Sequence, residues 1–108
     1  MLDFKKVDKY FLEKGATSSR PFDNDLIAYS LDQSRLAYVG SDSRPLRLSL
    51  RCNHDLAKQL AEEYESVMPG HKLDSKKWIT ILDTGQLEQP EIFALIDHAF
   101  LEIQSVNS

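Results

Sequence analysis

Residues 46–52 read Leu46-Arg47-Leu48-Ser49-Leu50-Arg51-Cys52. A strand turns successive side chains to opposite faces, so this run lines one face with Leu46, Leu48, Leu50 and Cys52 and the other with Arg47, Ser49 and Arg51. One side can pack against helices, while the other carries positive charge toward water.

The segments around this strand predict its partners. Upstream, Leu26 to Leu31 alternates Ile27, Tyr29 and Leu31 against Leu26, Ala28 and Ser30, and Asp32-Gln33-Ser34 separates it from a second β segment, Arg35 to Val39, ending at Gly40. The turn Ser41-Asp42-Ser43-Arg44-Pro45 then leads into the Leu46 run. Downstream, Pro69-Gly70 reads as a tight turn, and a basic loop with Lys72, Asp74, Lys76 and Lys77 enters a strand from Trp78 to Leu82. Three segments have helical periodicity. Asp3 to Lys14 carries Phe4, Val7 and Phe11, with Gly15 as a stop. Asp55 to Ser66 carries Leu56, Ala57, Leu60, Ala61 and Tyr64. The last begins near Gln89, with Pro90 where a missing amide is tolerated, and repeats Ile92, Ile96, Ala99 and Ile103. Thr17 to Pro21 has loop composition. The expected fold is α+β, an antiparallel sheet with helices packed mainly on one face in the order α-β-β-β-α-β-α.

A length of 108 residues suits one compact domain over residues 1–108. No apolar run approaches the roughly 18 residues a membrane span needs, and Asp3, Lys5 and Lys6 make the amino terminus unlike a signal peptide. The single cysteine has no partner for an intrachain disulfide. The expectation is a cytoplasmic protein with no membrane partner. The net charge of -4 opposes non-specific electrostatic binding of nucleic acid, but its distribution is uneven. After Lys77 there are five acids and no Lys or Arg, so the rest of the chain holds 13 bases against 12 acids.

Leu48-Ser49-Leu50-Arg51-Cys52, then Leu60, Tyr64, Val67, Pro69-Gly70, Lys76-Lys77-Trp78 and Leu95-Ile96 form an ordered series. In that order, together with Pro21-Phe22 near the first strand, it resembles the YjbR (MmcQ-like) family across roughly Pro21 to Ile103. The resemblance implies a CyaY-like fold with a double-wing arrangement, a DNA-binding role and no enzymatic activity. The chain departs from the family pattern at His71 to Lys77, where the usual His and Asn of the loop are missing. It departs again at Ala99-Phe100, where relatives carry a Ser-Tyr pair.

Arg44, Arg47 and Arg51, joined by Lys72, Lys76 and Lys77 from the later loop, are the candidate phosphate contacts, because guanidinium forks and ammonium groups spaced along one surface neutralise a phosphate backbone. The alternative is an ordinary solvated face. Trp78 is a candidate base-stacking residue beside these cations, or a core residue if its strand is covered on both faces. Cys52 as a nucleophile is opposed by the apolar face it shares with Leu46, Leu48 and Leu50. His54, His71 and His98 with Cys52 lack recurrent metal-ligand spacing, and Asp83, Glu88, Glu91, Asp97 and Glu102 are too dispersed to gather a hard cation. No cofactor is implied. The sequence supports a non-enzymatic DNA-binding domain, with a protein-docking or dimerisation module as the second reading and oligomeric state left open.

Overall fold

The computed structural model describes residues 3–20, 25–41, 44–69 and 77–106. In chain order these form α1 (Phe4–Glu13), β1 (Thr17–Ser19), β2 (Leu26–Leu31), β3 (Ser34–Gly40), β4 (Arg47–Arg51), α2 (His54–Glu63), β5 (Val67–Pro69), β6 (Trp78–Leu82) and α3 (Gln89–Val106). The strands make one antiparallel sheet in the order β1-β2-β3-β4-β6-β5. The α-β-β-β-α-β-α order holds, with two short edge strands added. Thr17–Ser19 and Val67–Pro69 lie in stretches that read as loop and turn, because neither has the length or alternation that marks a strand. Each is fixed by pairing with a longer neighbour.

Each helix begins where the sequence supplies a cap. The Asp3 carboxylate accepts from the Lys6 amide at 2.9 Å, and Asn53 Oδ1 accepts from Asp55 and Leu56 at 2.8 and 3.3 Å. The Glu91 side chain reaches back to the Glu88 amide at 3.2 Å, the returning half of a capping box at the start of α3. α1 stops in a Schellman motif. Gly15 has φ +97°, its amide donates to Leu12, and the Ala16 amide donates to Phe11.

All three helices cover one face of the sheet. α3 crosses β3 and β4, α2 lies against β5 and β6, and α1 meets the β1 end. Ile27, Tyr29, Ala37, Val39, Leu48, Leu50, Ile79 and Ile81 point toward them and join Val7, Phe11, Ala57, Ile92, Ile96, Ala99 and Ile103 in one core. Burial of each large aliphatic or aromatic side chain here contributes about 1.5–3 kcal/mol. Ala99 and Phe100, where the family pattern has hydroxyls, are both buried in this core, with Phe100 6.1 Å from the Phe11 ring.

The β2–β3 ladder contains one irregularity. Ser30 pairs with Arg35 but Tyr29 pairs with Ala37, leaving Leu36 as an extra residue. A bulge of this kind turns two consecutive side chains to the same side. Leu36 and Ala37 both enter the core, and Arg35 emerges on the opposite face with Tyr38.

Candidate nucleic-acid interface

Three charged residues occur in the six described strands, and all are arginines: Arg35, Arg47 and Arg51. Register places all three on the face away from the helices. Arg47, Ser49 and Arg51 of β4 pair with Leu82, Thr80 and Trp78 of β6, while Tyr38 of β3 pairs with Ser49 from the other side. The carboxylates of the described residues lie in helices and loops, so a protein with net charge -4 presents a sheet whose strand charges are all cationic.

At the centre of this face, two aromatic rings and two guanidinium groups form a chain of contacts. The Arg35 guanidinium carbon lies 5.2 Å from the Tyr38 ring centroid, the Tyr38 and Trp78 centroids are 5.7 Å apart at 39°, and the Arg51 guanidinium carbon lies 5.7 Å from the Trp78 centroid. Cation–π attraction holds each guanidinium near its ring. Beside the rings, the buried hydroxyls Ser49 Oγ and Thr80 Oγ1 share a hydrogen bond of 3.0 Å. Two nitrogens of the cluster, Arg35 Nη1 and Arg51 Nε, are buried without a hydrogen-bond acceptor. A buried donor on a charged group is costly to leave unmade, and here both are enclosed by the cluster itself.

The candidate residues divide. Arg47 and Arg51 share the sheet face; Arg47 is exposed and Arg51 half-buried. Arg44 is exposed in the turn before β4. Lys77 is exposed just before β6, and its carbonyl accepts from the Cys52 amide at 2.8 Å, which sets it at the rim of the sheet. Lys72 and Lys76 lie outside the described residues. Trp78 is only 8 % exposed, so its ring chiefly supports Arg51 and Tyr38 and is not a surface open for stacking. Sequence reasoning passed over Arg35 and Tyr38. Plain alternation pairs Arg35 with Ala37 and Val39 toward the core, and only the bulge at Leu36 reverses it.

The other chemical candidates have structural roles. Cys52 is 2 % exposed, and burial, with the nearby Glu102 charge, pushes its thiol up to about 11, so it is protonated at neutral pH. His98 Nε2 accepts from the Asn53 amide at 3.2 Å, joining α3 to the start of α2. Asp97 bonds Lys14 Nζ at 2.7 Å and accepts from the Tyr10 hydroxyl at 2.6 Å, which ties α1 to α3. Among the described residues, no group of three or more His, Cys, Asp or Glu could hold a metal ion, and no helix is long and apolar enough to cross a membrane.

These features place the protein in a class of fold: α+β proteins with an antiparallel sheet and helices packed on one face. The chain belongs to the YjbR family, whose model matches residues 13–102. The fold is shared with a crystal structure of Deinococcus radiodurans protein DR2400, which carries the DUF419 domain. That match has a TM-score of 0.87 and 23% identity, covering 95% of this chain and 79% of the other. A protein from Pseudomonas syringae is similar at a TM-score of 0.80 and 19% identity, covering 94% of this chain and 98% of that one. No curated protein matches the sequence.

Proposed function

We propose that this YjbR-family protein is a non-enzymatic nucleic-acid-binding domain that contacts DNA phosphates through the sheet face opposite the described helices. The supporting observation is the segregation of charge: Arg35, Arg47 and Arg51 are the charged residues of the strands and share one face, with Arg44 and Lys77 at its margins. Phosphate neutralisation depends on local cation density and not on net charge, so a handful of such contacts can act on an acidic protein. Contacts of this type position a duplex or strand and carry no base preference.

The test is a salt-titrated binding measurement on DNA. With phosphate contacts, log affinity falls linearly with log salt, and each duplex phosphate neutralised adds about 0.9 to the slope. Arg47→Gln and Arg51→Gln should each lower that slope. No binding at about 50 mM salt removes the reading.

A protein-docking role is the second reading, favoured by the composition of the same face. Arginine, tyrosine, tryptophan and methionine are enriched at protein interfaces, and here Arg51, Tyr38, Trp78 and the half-buried Met68 of β5 lie together on the sheet. Binding of that kind would lack the steep, linear salt dependence.

A further inference from the structure

We infer that the Arg35–Tyr38–Trp78–Arg51 cluster is a single-strand subsite, taking an unpaired nucleotide whose base stacks on the Tyr38–Arg35 surface while its flanking phosphates meet the two guanidinium groups. This rests on the nucleic-acid reading above and specifies the form of nucleic acid. Three observations carry it. The first is the interleaving of rings and guanidiniums, with successive separations of 5.2, 5.7 and 5.7 Å. A base presents a flat π face, and both aromatic rings and guanidinium planes receive it without reading sequence.

The second is the pair of guanidinium groups, which come from two different strands, β3 and β4, and stand at the two ends of the contact chain, Arg35 beside Tyr38 and Arg51 beside Trp78. Both residues are half-buried, so two positioned positive charges bracket the rings where flanking phosphates would lie. The third is shape. Every described helix lies on the opposite side of the sheet, and the cluster sits within the ladder, where Trp78 is 8 % exposed and Tyr38, Arg35 and Arg51 are half-buried. An unpaired nucleotide can reach such a surface, whereas a base inside a duplex keeps its face stacked on its neighbours.

Trp78 is a positioning residue in this arrangement. Its ring contacts both the Arg51 guanidinium and the Tyr38 ring, and as the chain's one tryptophan it is also a built-in reporter.

The experiment uses the full chain with fluorescently labelled oligothymidylate, oligouridylate and a duplex of the same length, followed by anisotropy and by Trp78 emission. The expected result is a single strand held at least about tenfold tighter than the duplex, with Trp78 emission changing on saturation. Tighter binding of one over the other reports the combined preference for sugar and base methyl, and binding of either supports the inference. Tyr38→Leu should weaken single-strand binding about five- to hundredfold, while Tyr38→Phe, which keeps the ring, restores it. Arg35→Gln should lower the single-strand salt slope by about 0.7. Thermal unfolding of each variant separates lost binding from lost fold.

Duplex held as tightly as single strand, Tyr38→Leu binding like the parent, or silent Trp78 emission would each overturn the subsite and leave the DNA reading standing. Failure of every probe to bind at about 50 mM salt would remove that reading and this one with it.

Discussion

The guanidinium of Arg51 lies 5.7 Å from the ring centroid of Trp78, its cross-strand partner in the β4–β6 ladder. The pair links an ionic group to a packing group on a face that no described helix covers. Because the tryptophan is almost wholly buried there, the charge is held by an apolar surface and by a neighbouring ring, with Tyr38 completing the set.

Trp78→Ala should cost about 3–5 kcal/mol in urea-induced unfolding, the usual penalty for emptying a large aromatic site. Trp78→Phe should cost less, since a ring remains beneath Arg51. A Trp78→Ala variant within about 1 kcal/mol of the parent would mean the ring is not packed as described.

Tyr29 joins the helix and sheet layers. Its ring stacks on Phe11 at 4.3 Å, and its hydroxyl donates to the Asp8 carboxylate at 2.7 Å. Burial, then the Asp8 hydrogen bond and charge, hold its phenol well above the usual tyrosine range. Tyr29→Phe preserves the stack and removes one charge-assisted bond, for an expected loss of about 1.5–3 kcal/mol by equilibrium denaturation. Asp8→Asn should give a smaller loss.

Asp97 makes stability depend on acid. Burial by itself would raise its pKa, but the Lys14 and Tyr10 hydrogen bonds and the Lys14 charge outweigh burial and lower it. A carboxyl with a folded pKa below its unfolded value of about 3.9 stabilises the fold above that value, and the contribution is lost as pH falls through the folded pKa. Asp97→Asn should lower stability at neutral pH and make the decline below about pH 4 shallower. Parallel acid titrations of stability for parent and variant test this; identical acid limbs would show that the carboxylate is uncoupled from folding.

The β2–β3 connection uses Asp32 and Gln33 at φ 50° and 73°, the left-handed region a two-residue hairpin of this type requires. Gln33 has a side chain where glycine is preferred. Relief of that strain exceeds the extra unfolded-state entropy of glycine, so Gln33→Gly should stabilise by about 0.5 kcal/mol and raise the thermal midpoint by a few degrees. A lowered midpoint would show that the side chain makes a compensating contact.

The layered plan was legible because alternation at residues 46–52 and helical periodicity near Ile92 state directly which side of each element is apolar. The same rule put Arg47 and Arg51 on one face, as the register has them. It missed β1 and β5, each three residues long, because such strands are specified by a neighbour's open edge and not by their own pattern.

Local periodicity thus determined the helices, the long strands and the two-faced character of β4, since each depends on side chains a few positions apart. The Arg35–Tyr38–Trp78–Arg51 cluster was decided only by tertiary structure. Its members come from three strands, and one of them reaches the face through the extra residue Leu36, which reverses the side-chain parity that the linear pattern implies. Cross-strand register and a bulge arise from long-range pairing, so no window of neighbouring residues contains them.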